Sequence, residues 1–232
     1  MKREIQPEGN YYDKYNTQNK IEQWIMNRFF CRCAGILDTV TLEHGRILEA
    51  GCGEGNFTRF LFEKFVTGKC GNNKSVEKEF VKIEAYDLSR KCIQQAKEKC
   101  PGVHFQTGSI YERKTEVPYD LVVASEVLEH MENPEQALDK LFEAANGYLF
   151  LTVPNEPLWR VLNMARGKYW SRLGNTPGHV QHWNRRTLAK LILARGGGKN
   201  CIYKSCISLS VANCSGKNKI VSLTGLQIGK IV

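Results

Sequence analysis

The apolar positions of this 232-residue chain follow two alternating rhythms. Short, nearly continuous apolar runs have the length of strands. Between them lie stretches where apolar residues recur every three or four positions, the spacing of one helical face. Ile21, Trp24, Ile25, Phe29 and Leu37 set the first such face and predict a helix from a Thr17 cap to about residue 34. Residues 46–50 form a short strand, and 56–66 a helix with Phe57, Phe60, Leu61 and Phe65 on one side. A second strand covers 81–86 and ends at Asp87. Ser89 caps a helix to about residue 100, stopped by Pro101-Gly102, and 103–106 is a third strand. The run 119–124 reads as a strand buried on both faces. Pro134 opens a helix to about residue 145, 147–153 is a fifth strand, and Pro154 ends it.

Five strand–helix alternations predict an α/β fold, doubly wound, with a mostly parallel sheet and helices on both faces. Right-handed crossovers place the strand C-termini along one edge, where open α/β sheets bind ligands. Residues 51–55, Asp87, Ser109, and Ser125 with Glu126 all fall at such ends. Past Pro154 the pattern weakens. Residues 159–167 have helical spacing, 173–182 read as a loop, and 185–195 as a helix stopped by Gly196-Gly197-Gly198. Residues 201–212 and 219–232 have strand-like content with poor alternation.

Composition adds three constraints. The chain is 42% hydrophobic and 25% charged, as in soluble globular proteins, and no apolar run approaches the roughly 20 residues of a membrane span. The opening Met1-Lys2-Arg3-Glu4 lacks the apolar core of a signal peptide, so a cytoplasmic location is expected. The nine cysteines are scattered, form no Cys-x-x-Cys pair, and read as reduced, mostly buried thiols. Charge is uneven. Residues 154–232 carry 13 Lys and Arg against one acid, Glu156, which suggests an anionic partner: a phosphorylated or carboxylated substrate, nucleic acid or a membrane surface.

The candidate chemistry starts at Ile47-Leu48-Glu49-Ala50-Gly51-Cys52-Gly53-Glu54-Gly55-Asn56-Phe57. A strand runs into a glycine turn and a helix start, the usual frame of a nucleotide pocket. No Gly-Lys-Ser/Thr follows, so it is not a Walker loop. Asn56 stands where a dinucleotide fingerprint has its third glycine, which disfavours a dehydrogenase. The acid before the glycines, the acid at Asp87, Tyr119-Asp120-Leu121-Val122-Val123, and Ser125-Glu126-Val127-Leu128-Glu129-His130 together resemble the class I S-adenosylmethionine-dependent methyltransferases, which have a Rossmann-like fold. Thr152-Val153-Pro154-Asn155 fits the same pattern.

The resemblance implies a single methyltransferase domain over 1–232, with an N-terminal helical lid (1–40), a cofactor-binding core (45–153) and a substrate-side and C-terminal region (154–232). It implies S-adenosylmethionine as cofactor. Gly51, Cys52 and Gly53 would let backbone approach the ligand, and the helix start at Asn56 would face its carboxylate. Glu49 would hold its ammonium, Asp87 the ribose hydroxyls, and Leu88 the adenine. Ser109 and Ile110 stand where the family usually has an acid near the adenine amino group. Ser125 and Glu126 would line the methyl-donor end.

The acceptor is expected among small molecules, anionic or aromatic, because Trp159, Tyr169, Trp170 and Trp183 interleave with Arg160, Arg166, Lys168, Arg172, Arg185 and Arg186. Transfer to oxygen would need a base, and His182 is the candidate in Gly178-His179-Val180-Gln181-His182-Trp183. Glu126 and Glu129, three apart, would share one face of a helical turn. With His130 and His182 they would make a hard divalent site, although many metal-free relatives share this Glu-His and metal is the lesser expectation. Two alternatives stand beside this one: an RNA 2′-O-methyltransferase using the basic C-terminal third, and a catalytically inactive protein that binds the cofactor.

Overall fold

The computed structural model describes residues 18–69, 80–154, 160, 163–164, 170, 173–175, 178–195, 200–201, 204–206, 209–215 and 219–224. The chain forms two compact units, residues 1–114 and 115–232.

In the first unit, helix α1 (Lys20–Leu37) precedes strand β1 (Arg46–Ala50) and helix α2 (Asn56–Leu61), which continues as a π-helical turn (Phe62–Val66). Strand β2 (Lys82–Asp87), helix α3 (Arg90–Lys99) and strand β3 (His104–Thr107) follow. β1 pairs in parallel with β2, Ala50 opposite Tyr86, and β2 in parallel with β3, Asp87 opposite Thr107. The strand C-termini therefore lie side by side, as the crossover rule requires. Ile47, Leu48, Ala50, Ile83, Ala85 and Phe105 are buried and form the apolar layer beneath that edge.

α1 docks on α2 through aromatic rings. Phe30 lies 5.0 Å from Phe60 and 6.1 Å from Phe57, and Phe29 lies 6.2 Å from Phe57. Below them Lys64 is buried, and its Nζ donates to Asp38 Oδ1 at 2.5 Å. The ammonium sits inside while the carboxylate of Asp38 stays 38% exposed.

The second unit holds β4 (Tyr119–Ser125), a 3-10 turn (Leu128–His130), α4 (Pro134–Ala144), β5 (Ala145–Val153) and α5 (Arg185–Arg195). Strands β6 (Asn200–Cys201), β7 (Lys204–Cys206), β8 (Leu209–Ser215) and β9 (Lys219–Thr224) follow. β4 and β5 are parallel, with Ser125 opposite Thr152 and a register shift between Tyr119 and Leu121. Gly147 explains how the shift is tolerated: a Cβ there would lie 2.5 Å from the Asp120 carbonyl oxygen. β9 pairs in parallel with β5, and β8 antiparallel with β9. Asn133 caps α4, its Oδ1 accepting from Gln136 N at 3.1 Å. Arg195 fastens α5 to α4 through Asp139, with Nε 2.8 Å from Oδ1.

The parallel strands and intervening helices are the α/β architecture expected, with most strand ends within a residue or two. α1 runs to Leu37 because Ile36 and Leu37 extend its buried face. Thr17, most of 159–167 and residues 225–232 lie outside the described residues. Cys33, Cys52, Cys92 and Cys100 are buried thiols, while the Cys31 thiol is exposed. Among the described residues, no helix is long and apolar enough to cross a membrane.

The Lys64 pair has a testable asymmetry. Removing the half-exposed partner leaves a buried cation with less compensation, whereas replacing the lysine with a similar apolar chain removes the desolvation cost. Asp38→Ala should destabilise the protein by about 1–3 kcal/mol in urea unfolding, and Lys64→Met by less than Asp38→Ala. The reverse order would show that the buried ammonium is compensated without Asp38.

Candidate functional site

At the end of β1 the backbone reverses through three glycines with left-handed φ values: +70° at Gly51, +52° at Gly53 and +79° at Gly55. The N–H groups of Gly51 and Cys52 both donate to the Tyr86 carbonyl, at 2.8 and 3.0 Å. Asp87 then clamps the turn from β2. Its Oδ2 accepts from Gly53 N at 2.9 Å and its Oδ1 from Ser89 N at 2.8 Å. Ser89 in turn caps α3, accepting from Cys92 N at 3.3 Å.

Two of the glycines do opposite jobs. A Cβ on Gly55 would stand 2.9 Å from Ala96 Cβ and 3.0 Å from its Cα, so glycine is what lets α3 approach. A Cβ on Gly53 would meet nothing within 4 Å. That side of the turn is open among the described residues. Gly55 is also the N-cap of α2, and it supplies no capping side chain.

Glu49 lies just before the turn and is 1% exposed. Among the described residues its Oε2 has no hydrogen-bond partner. Burial pushes its carboxyl up to about 8, with the charge of Asp87 adding to the effect and the Thr58 hydroxyl opposing it. Burial likewise pushes the Cys52 thiol up, reinforced by Glu49 and Asp87, so it is an inert thiol beside the turn. Leu88 is 54% exposed next to Asp87. Ser109 Oγ accepts from Tyr111 N at 3.2 Å, and Ile110 is buried. Asn56 turns toward α3, where its Oδ1 accepts from Lys99 Nζ at 3.0 Å. The expected residues Glu49, Gly51, Cys52, Gly53, Asn56, Asp87, Leu88, Ser109 and Ile110 thus all belong to the first unit, most of them at or beside the strand ends.

The donor set suits a ligand carrying both an ammonium and a carboxylate. Among the described residues the Glu49 oxygen has no partner, and the space where a Gly53 Cβ would stand is open. Asp87 offers two oxygens of the kind that accept a diol, although both already hold the turn.

In the second unit Ser125 and Glu126 close β4. Glu126 has φ +58°, a left-handed conformation uncommon for a residue with a side chain. Thr152 of β5 holds it there: the Glu126 N–H is 2.9 Å from the Thr152 carbonyl and 3.0 Å from its Oγ1, which also meets Ser125 Oγ at 2.9 Å. Sequence reasoning missed this role of Thr152, although the residue stands in the Thr-Val-Pro-Asn text already noted. Glu126 therefore precedes the 3-10 turn, and the expected single helical turn shared with Glu129 does not form.

The 3-10 turn is tied to the loop before α5. Val180 N and Gln181 N donate to the Glu129 carbonyl at 2.9 and 3.0 Å. His130 Nδ1 lies 2.9 Å from the Gly178 carbonyl, which can only accept, so Nδ1 donates in this contact. The rings of His130 and His179 meet edge to face, 4.9 Å between centroids. One ligand atom each from Glu129, His130 and His179 lie within 4.8 Å of one another. The third member is His179. His182 is exposed and lies outside this set. Trp183 is buried and Trp170 is 65% exposed, while Trp159, Tyr169, Arg166, Lys168 and Arg172 lie outside the described residues.

The Glu49 environment has a direct consequence for stability. Its carboxyl ionises near 4.5 when unfolded and near 8 when folded, so the folded state binds the extra proton and loses stability as pH rises across that window. Relative to ligand-free Glu49→Gln, the ligand-free wild type should lose roughly 1.4 kcal/mol per pH unit between about pH 5 and pH 8. A difference in unfolding free energy that does not change with pH would contradict this assignment.

Residues 20–196 match the family described as Methyltransferase domain. The chain is similar to a trans-aconitate 2-methyltransferase of Variovorax paradoxus, 28% identical over 127 residues, covering 52% of this chain and 44% of that protein. It is similar to a pavine N-methyltransferase of Thalictrum flavum, 28% identical over 149 residues, covering 62% of this chain and 37% of that protein. It therefore spans less than half the length of these curated relatives. Among solved structures, magnesium protoporphyrin IX methyltransferase of Synechocystis with bound SAH has a TM-score of 0.51 at 18% identity, covering 84% of this chain and 80% of that one. The YcgJ protein of Bacillus subtilis has a TM-score of 0.50 at 15% identity, covering 76% and 70%. These two share the fold. The family match covers both strand-end sites just described, and the chain belongs to the methyltransferase-domain family, with the class I S-adenosylmethionine-dependent methyltransferase fold.

Proposed function

We propose that this protein transfers a methyl group from S-adenosylmethionine to a small anionic acceptor, with oxygen as the atom methylated. The observation that carries the proposal is the Asp87-clamped glycine turn with the orphaned Glu49 oxygen beside it. In this reading Glu49 pairs with the cofactor ammonium, the N–H groups at the start of α2 face its carboxylate, Asp87 takes the ribose, and Leu88 covers the adenine. The cofactor supplies a methyl group already activated on a sulfonium, so the protein's main task is to place the acceptor in line.

An oxygen acceptor also has a proton to lose. His182 is the base in this proposal, and the loop that carries it is anchored to the Glu129 carbonyl through Val180 and Gln181. The names of the two curated relatives, trans-aconitate and pavine methyltransferases, point to small-molecule acceptors. The near absence of acids after residue 153 favours an anionic one. A second reading, that a divalent cation joins the acceptor site, is supported by the Glu129, His130 and His179 cluster.

The test is mass spectrometry of cell extract incubated with the protein and isotope-labelled methyl donor. One small anionic molecule should gain the label, and Asp87→Ala should reduce labelling at least tenfold, because it removes two charge-assisted bonds that hold the turn. Label appearing on RNA, or an undiminished signal in Asp87→Ala, would contradict the proposal. Loss of labelling in EDTA with recovery on adding a divalent cation would support the second reading, and full labelling in EDTA would end it.

A further inference from the structure

We infer that the seat at the end of β1 exchanges a proton for a cationic ligand: Glu49 is protonated in the ligand-free protein and releases its proton to solvent when a ligand's ammonium group comes against its carboxylate. This rests on the reading of the glycine turn as the methyl donor's seat, and it adds a linkage that the seat itself does not require.

Three observations carry the inference. Glu49 is 1% exposed and, among the described residues, its Oε2 has no hydrogen-bond partner, so an ionised carboxylate there would be both desolvated and incompletely solvated by protein. Among the described residues Glu49 is in no ion pair, and the groups that act on it are neutral or negative. Asp87 faces it from β2 and is an acid. Thr58 of α2 offers a hydroxyl. Cys52 in the turn and Cys100 after α3 are thiols whose ionisation burial already suppresses, and the Glu49 charge suppresses it further. Burial and the Asp87 charge favour the protonated carboxyl, and the Thr58 hydroxyl, which favours the ionised one, is outweighed by burial. The third observation is the space beside Gly53, in the turn that follows Glu49: among the described residues, a Cβ there would meet nothing within 4 Å.

An ammonium supplies the missing positive charge. The exchange balances in atoms and charge: a protonated Glu49 and an alkylammonium become an ion pair, and one proton passes to bulk water. Two consequences follow. Below about pH 8, affinity for an ammonium-bearing ligand should rise nearly tenfold per pH unit. A ligand with the same adenosine but no amino-acid tail should show no such slope.

Isothermal titration calorimetry at pH 7 in phosphate, HEPES and imidazole buffers separates these outcomes, because released protons contribute each buffer's own ionisation heat. S-adenosylhomocysteine, which cannot be consumed by turnover, should release roughly 0.9 proton per site. 5′-Methylthioadenosine, which lacks the ammonium, should bind with release near zero, and Glu49→Gln should bind S-adenosylhomocysteine without release. Infrared difference spectra of the wild type, which do not depend on that variant folding, should show loss of a protonated-carboxyl stretch on adding S-adenosylhomocysteine and none on adding 5′-methylthioadenosine. Binding of S-adenosylhomocysteine with buffer-independent heat and no carboxyl change overturns the inference and leaves the donor seat standing. No binding of either nucleoside overturns the seat as well.

Discussion

The carboxylate of Asp87 is the joint on which the first unit's ligand edge turns. One oxygen holds Gly53 in the turn after β1, and the other holds Ser89 at the start of α3. Charge-assisted bonds of this kind are about twice as strong as neutral ones, and here a single side chain spends both oxygens on backbone N–H groups from two different loops. The left-handed glycines depend on it, because a turn with three positive φ values has little intrinsic preference for one shape. Gly55 completes the arrangement by letting Ala96 of α3 come within contact distance of the same turn. Pairing of Asp87 with Thr107 and of Ala50 with Tyr86 sets the strand ends level, so the clamp reaches its partners without strain in the sheet.

Two acids near this turn show how environment divides labour between like groups. Asp87 is intermediate in burial and meets two N–H donors. Glu49 is buried with an oxygen left over, and its neighbours give it no positive charge. A buried polar atom without a partner is uncommon in a native protein, and a ligand is among the ordinary explanations. The first acid holds the turn, and the second keeps a buried oxygen for which the described residues offer no partner.

Much of this was legible in the sequence because strand length, glycine punctuation and the Ser89 cap are local signals. Helix 56–66 was read to its correct extent, but its π-helical end was not, since Phe62 and Phe65 satisfy a helical period whether the ladder closes at four residues or five. Spacing placed Glu126 and Glu129 on one turn. The φ of +58° at Glu126, fixed by Thr152 across the sheet, breaks that geometry, and no local pattern encodes a cross-strand hydrogen bond. The choice of His179 over His182 beside His130 was equally hidden. It is made by the Gly178 carbonyl and by Val180 and Gln181 N–H groups reaching residues about 50 positions away. Asn56 shows the same limit: its side chain is engaged by Lys99, 43 residues on.

The second unit repeats the same logic at lower charge, with Thr152 fixing the end of β4 and backbone bonds fixing the loop that bears the histidines. In the proposed reaction the donor is seated in the first unit, at the Asp87-clamped turn. The most direct measurement of that seat is a crystal structure of the protein with S-adenosylhomocysteine. The expected result is a ligand whose ammonium lies within hydrogen-bond distance of Glu49 Oε2, whose carboxylate faces the start of α2, and whose ribose hydroxyls meet Asp87. A ligand bound elsewhere, or one whose ammonium leaves Glu49 Oε2 without a partner, would contradict the account.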